Sequence, residues 1–189
     1  MTLPPDLPVS TLPATAKLWR VHRAGYDPLW FGPAPHQPPQ NRFDAPAGEF
    51  RVCYFGHDLE GAFVETLMRG RANRLIALAE LKERSATVVP LIRELRLARV
   101  HSDGLVHLAM SAAVPHADCY DDCHDLALSV WSHADAVDGI EYRSRWDDSR
   151  VCVALFDRAA RALGTPSTQP LASTALVRPV MRHYGIGLS

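Results

Sequence analysis

Asp138-Gly139-Ile140-Glu141-Tyr142-Arg143-Ser144-Arg145-Trp146-Asp147 reads as a strand entering from a tight Asp-Gly turn. Alternation places Ile140, Tyr142, Ser144 and Trp146 on one face, and Glu141, Arg143 and Arg145 on the other. Val151–Phe156, dense in apolar residues, follows at hairpin distance as a partner strand. A lone hydroxyl on an aromatic face either satisfies a buried backbone group or faces a ligand. Elsewhere helical and strand patterns mix without strict βαβ alternation, so the chain reads as α+β.

Composition narrows the function. The 189 residues are 47% hydrophobic, enough for one globular unit with a real core. With 20 basic and 21 acidic side chains the net charge is -1, which argues against broad binding to a phosphate backbone. No nucleic-acid partner is expected, whereas a small anionic ligand held by a few arginines is compatible. No apolar run is long enough to cross a bilayer. Residues 1–16, rich in proline, lack the basic start and apolar stretch of a signal peptide and read as an extended arm before a unit spanning 17–189. Cys53 and Cys152 fall inside apparent buried strands, and the four cysteines suit reduced thiols and a cytoplasmic location.

Around that strand the pattern predicts a first strand over Leu18–His22. A long loop over Asp27–Gly48 follows, docked by Trp30, Phe31 and Phe43. Phe50–Phe55 reads as a strand. A helix capped at His57-Asp58 follows, with a buried stripe of Leu59, Ala62, Phe63, Thr66 and Leu67, ending at Gly70. Leu75–Leu81 and Ala86–Leu91 are expected as strands, and short helical turns at Glu94–Val100 and Leu105–Ala113. Asp118 is expected to cap a helix reaching about Ala134, and Leu171–Tyr184 to form an amphipathic tail.

His116, Cys119, Cys123 and His124 are zinc-compatible residue types, but their spacing matches no familiar pair of knuckles. Buried free cysteine is the better reading, and no metal is expected. No nucleophile elbow, phosphate loop or dinucleotide fingerprint is present. Glu65 lies off the helix stripe, four residues before Arg69. Taken alone this is a surface ion pair, and the sharper reading is a carboxylate at a cleft rim. Arg42, in a loop, is either exposed or a forked donor to phosphate or carboxylate. Tyr54 is either a core tyrosine or a ring against a flat ligand.

The order Arg42-Phe43-Asp44-Ala45-Pro46, Val52-Cys53-Tyr54, Glu65-Thr66-Leu67 and Asp138-Gly139-Ile140 with Tyr142-Arg143-Ser144 resembles the RES domain family. The likeness runs from about Leu18 to Phe156, and Arg182-His183-Tyr184-Gly185-Ile186 is similar to that family's C-terminal end. Asn41 stands where a glycine is frequent in the family, and the spacing from Arg42 to Tyr54 is slightly long. The resemblance implies a fold like that of ADP-ribosylating toxins. It implies a bacterial toxin that consumes NAD as substrate by hydrolysis, phosphorolysis or ADP-ribosyl transfer to a protein target. It also implies a cognate antitoxin and a homodimer within such a complex. By position it makes Glu65, Arg42 and Ser144 catalytic and Tyr54, Arg42 and Ser144 substrate-binding, with Ser144 hydrogen-bonded to the nicotinamide ribose or amide. Arg20 and Arg23 are reserve ligand arginines. A non-enzymatic binding module is the competing class, and a zinc-stabilised regulator the weaker one.

Overall fold

Two alternating residue sets on the central strands line opposite faces of an eight-stranded sheet in this computed structural model. It describes residues 1–34, 36–70, 74–116 and 120–189, without the side chains of His116 and Thr174. The elements in chain order are β1 (Val9–Leu12), β2 (Lys17–Arg23), β3 (Val52–Gly56), α1 (Leu59–Leu67), β4 (Leu75–Ile76), α2 (Leu78–Lys82), β5 (Arg84–Pro90) and β6 (Leu95–Val100). There follow α3 (Asp103–His107), α4 (Ala113–His116), α5 (Asp121–Trp131), β7 (Gly139–Arg143), β8 (Val151–Phe156), a 3-10 turn (Asp157–Ala162), β9 (Ser167–Pro170), α6 (Thr174–Tyr184) and β10 (Gly187–Leu188).

The sheet order is β1-β6-β7-β8-β3-β2-β5-β9. β6 and β7 run parallel, with Leu97 opposite Gly139, and their neighbours pair antiparallel. Helices and strands are thus mixed without regular alternation, and the α+β expectation holds. On one face Val52, Ala98, Val100, Ile140, Tyr142, Cys152, Ala154 and Phe156 pack against Cys123, Leu126, Ala127 and Val130 of α5. On the other, Leu18, Cys53, Phe55, Leu95, Leu97, Val153 and Leu155 meet Ala159 and Ala162 of the 3-10 turn. A third cluster joins α1 and α6 to Val21 and Ala86. None of the helices among the described residues is long and apolar enough to cross a membrane.

The start of α1 is set by local chemistry. Asp58 accepts the Gly61 amide at 2.7 Å, a cap that contributes about 1 kcal/mol. A Cβ on Gly56 would lie 2.5 Å from the Ala62 nitrogen and 2.6 Å from the Asp58 carbonyl. Only glycine lets the helix begin that close to the end of β3. Leu59, Ala62, Phe63 and Leu67 are buried, so Glu65 is left on the flank, half-buried.

Several boundaries differ from expectation. Leu75–Leu81 is a two-residue strand and then the helix α2, because Leu75 and Ile76 pair with Gly187 and Leu188 rather than entering the main sheet. Glu94–Val100 is the strand β6, not a helical turn, since pairing with both β1 and β7 outweighs local helix propensity. The turn expected over Leu105–Ala113 starts earlier, as α3. Strand pairing in β7 stops at Arg143, so Ser144 lies just beyond the strand. The tail helix begins at Thr174, and α1 ends at Leu67 with Met68 as its cap. The Asp118 cap lies outside the described residues, and the described part of α5 begins at Asp121. Within the residues read as an N-terminal arm, Val9–Leu12 form the strand at the edge of the main sheet, paired with β6.

Candidate active site

Arg42 is held by a turn organised around one buried carboxylate. Asp44 is fully buried. Its Oδ2 accepts the amides of Gln40 at 2.9 Å and Asn41 at 2.7 Å. Its Oδ1 accepts the Tyr54 hydroxyl at 2.9 Å, and that hydroxyl accepts the Phe43 amide at 2.9 Å. Phe43 is itself fully buried, its ring 4.9 Å from that of Tyr142. Burying such a side chain contributes roughly 1.5–3 kcal/mol, which fixes the turn to the sheet. From α5, the His124 ring reaches the Asn41 carbonyl at 3.0 Å.

The turn delivers the Arg42 guanidinium over the Tyr142 ring, 5.5 Å from its centroid. Arg42 is 7% exposed, yet its Nε and Nη1 find no hydrogen-bond partner among the described residues. Burying a charged donor unpaired is costly, so these two nitrogens carry an unmet demand for an acceptor.

Glu65 and Arg42 both line a cavity of about 450 Å³. The Glu65 Oε1 accepts the Ser144 hydroxyl at 2.7 Å and the Arg145 amide at 3.0 Å. The same hydroxyl oxygen accepts the amides of Trp146 at 3.2 Å and Asp147 at 3.4 Å. Ser144 is fully buried, stands behind Glu65 and does not line the cavity. The Ser144 hydroxyl is thus bonded to the Glu65 carboxylate on α1.

Tyr54 and Tyr142 form a wall of the cavity. Burial pushes the Tyr54 phenol well above its ordinary pKa, with the Asp44 carboxylate adding to the effect. Burial and then Glu65 do the same to Tyr142. Both rings therefore stay neutral. Cys152 also lines the cavity, and burial raises its thiol, again with help from Glu65. It is not a poised thiolate.

Arg20, Arg69 and Arg145 join Arg42 around the cavity, and Glu65 is its single carboxylate among the described residues. Arg20 donates to the Trp30 carbonyl at 3.1 Å and contacts the Cys53 sulfur. Arg69 donates to the Asn41 side chain at 3.3 Å and to the Tyr120 hydroxyl at 3.0 Å, rather than acting only as the helix neighbour of Glu65. Arg23, the other reserve arginine, sits at the exposed end of β2 and lines no part of it. Asp44, Tyr120 and His124 are the residues sequence reasoning missed. Asp44 had a signal, in that it closes the Asn41-Arg42-Phe43-Asp44 stretch, whereas the other two reach the loop only through folding.

The zinc-compatible group does not assemble as a centre among the described residues. Cys123 donates to the Val114 carbonyl at 3.0 Å and His124 supports Asn41, while Cys119 and the His116 side chain lie outside the described residues.

Residues 17–175 match the RES domain family model. A 96-residue stretch is 33% identical to the probable toxin y4kH of Sinorhizobium fredii, covering 51% of this chain and 75% of that protein. The solved MbcT–MbcA toxin–antitoxin complex of M. tuberculosis contains a chain that superposes with a TM-score of 0.66. The match covers 89% of this chain and 92% of that one at 14% identity, a likeness of fold. Spanning as it does the loop of Arg42, β3, α1 and β7, the family match shows that the chain belongs to the RES domain family.

Proposed function

We propose that this protein is the toxin of a toxin–antitoxin pair and that it cleaves the nicotinamide–ribosyl bond of NAD, depleting it by hydrolysis or phosphorolysis. The observation that carries the reading is the buried Arg42 guanidinium, two of its donors unpaired, in one cavity with a carboxylate clamped from behind. A dinucleotide needs both ends of that arrangement. Its pyrophosphate is an anion suited to a forked donor, and its nicotinamide ribose develops positive charge as the bond breaks.

In the proposed reaction nicotinamide leaves as a neutral molecule, taking the electron pair of the C–N bond, so no general acid is required. Glu65 stabilises the cationic ribosyl group more strongly in the transition state than in bound NAD. Ser144 and the Arg145 amide hold that carboxylate in aim, which limits reorganisation during bond breaking. Arg42 holds the pyrophosphate, and the Tyr54 and Tyr142 walls shape an apolar seat for the nicotinamide ring. Water or phosphate completes the reaction at the ribosyl carbon.

On this reading residues 17–189 are the catalytic unit and residues 1–16 its arm. The enzyme works in the cytoplasm without a metal and is restrained by a cognate antitoxin. The named words of the two relatives, a probable toxin and a toxin–antitoxin complex, support that part.

The test is release of nicotinamide from NAD by wild type and by Glu65→Gln. Loss of roughly 100-fold or more is expected for the variant, the scale set by removing one electrostatic stabiliser. Equal rates would overturn the assignment of Glu65. Labelled NAD then separates the products. Soluble ADP-ribose or its phosphate is expected, and label retained on protein would make the enzyme an ADP-ribosyltransferase instead. No release from wild type under any buffer would leave a binding module.

A further inference from the structure

Glu141 follows Ile140 and precedes Tyr142, so its side chain leaves β7 on the face away from the first cavity. There its carboxylate is buried between two imidazoles. His101 Nε2 lies 3.0 Å from Oε2 and His57 Nε2 lies 3.2 Å from Oε1. Burial alone would raise this carboxyl, but hydrogen bonds from His101 and Ser10, with the His57 imidazole close by, outweigh it and hold the group well below the usual carboxylate range. An ionised carboxylate only accepts, so His101 donates Nε2–H to it and presents the lone pair of Nδ1. That Nδ1 lies 3.0 Å from the hydroxyl of Ser102.

The backbone at Ser102 has the form expected of a presented nucleophile. Its φ of 52° and ψ of -133° fall where side-chain-bearing residues are rarely found. The residue sits on the turn between the strand β6 and the helix α3. Two positions later comes Gly104, where a Cβ would lie 2.0 Å from the Arg99 carbonyl. A strained serine on a strand-to-helix turn, with an obligatory glycine two residues on, is the second half of the hydrolase elbow. Val100 stands where that motif carries its first glycine. Ser102 is exposed, and with His101, Leu105 and Arg143 it lines a separate cavity of about 280 Å³.

We propose that Ser102, His101 and Glu141 form a second reactive site, a serine nucleophile with its base and orienting carboxylate, which accepts acyl groups from small esters. Ser102 Oγ bonds to the acyl carbon as its proton passes to His101 Nδ1. The ester C–O bond then breaks and the leaving alkoxide takes that proton. Water attacks the acyl-serine, giving a proton to His101, which returns it to Ser102 as the acid departs. Leu105 offers an apolar wall, and Arg143 a cation for an ester bearing a negative charge. The site is independent of NAD cleavage, since neither Ser102 nor His101 lines the first cavity.

The full-length protein is treated with a fluorophosphonate probe and, separately, with p-nitrophenyl acetate. A covalent adduct mapped by peptide mass spectrometry to Ser102 is expected, together with a burst of p-nitrophenolate stoichiometric with protein. Ser102→Ala should abolish both while nicotinamide release stays at the wild-type rate. His101→Gln should slow labelling at least tenfold. Urea-unfolded wild type should fail to label, which separates activation by the fold from intrinsic serine reactivity and does not depend on any variant folding. Absence of an adduct at Ser102 in folded wild type would overturn the proposal, as would equally fast labelling after unfolding.

Discussion

Ser144 donates its hydroxyl hydrogen to Glu65 across 2.7 Å, joining the turn after β7 to the last turn of α1. The bond makes the third letter of the RES pattern a support for the second. Replacing Ser144 by alanine should lower kcat for nicotinamide release by roughly 10–100-fold and leave KM within about threefold. The loss is one of aim, felt in the transition state. Steady-state kinetics on NAD check this, and a rise in KM with kcat unchanged would instead show direct contact with substrate.

Arg42 combines burial with two unpaired donors, a desolvation cost that NAD would relieve on the proposed function. Arg42→Met should stabilise the free protein by on the order of 1 kcal/mol, seen as a raised denaturant midpoint, while abolishing protection by NAD. Arg42→Lys should not restore binding, because a point charge cannot reproduce the planar fork. Urea melts with and without NAD read both effects.

The Tyr54 hydroxyl bridges Asp44 and the Phe43 amide. Tyr54→Phe leaves both without their partner in a buried place and should cost about 1–3 kcal/mol. Its activity should fall through a loosened Arg42 turn, with KM rising more than kcat falls. Asp44→Asn should do the same more severely, since its carboxylate also takes the Gln40 and Asn41 amides.

Acid should weaken the hairpin beside the site. Burial alone would raise Asp147, but hydrogen bonds from Ser149 and Tyr184 outweigh it and bring its carboxyl down to about 2. A carboxylate lowered by folding contributes stability above its unfolded pKa, near 4, and loses it as pH falls toward 2. The gap in stability between wild type and Asp147→Asn should therefore be constant above about pH 5 and close between pH 4 and 2. Unfolding midpoints across that range are the measurement, and a gap that widens in acid would reverse the sign.

Removing residues 1–12 should destabilise the protein without touching the cavity residues. β1 covers the outer edge of β6, pairing Val9 with Ala98 and Leu12 with Leu95. The truncated protein should melt several degrees lower and self-associate, because an uncovered strand edge is a template for another chain. Scanning calorimetry and light scattering report the two effects.

The legible parts of the sequence were those fixed by local pattern. β2, β3, β8 and α1 follow from alternation, helical spacing and the Asp58 cap, and each lies within a few residues of its expected bounds. Arg42, Tyr54 and Glu65 were named in order, and the chain folds so that all three line one cavity. What failed was decided at long range. Leu95–Val100 looked helical in isolation and became a strand because β1 and β7 lie on either side of it. Alternation alone leaves Ser144 open between a satisfied buried hydroxyl and a ligand contact, and its bond to Glu65 depends on α1, 79 residues away in sequence. His101 and Ser102, adjacent in sequence, gave no signal of a base beside a hydroxyl, because the carboxylate that orients the imidazole comes from β7, 40 residues away.

Four arginines and one glutamate ring the first cavity of a chain whose net charge is only -1. The molecule as a whole is therefore nearly neutral, while its cleft acts as a local electrostatic funnel. Low-dielectric walls focus such a field outward and raise the rate at which a diffusing anion is captured. Dissolved ions shorten the reach of that field to about 8 Å at physiological ionic strength. Encounter with a charged ligand should accordingly slow as salt rises, even where the fold itself is indifferent to it.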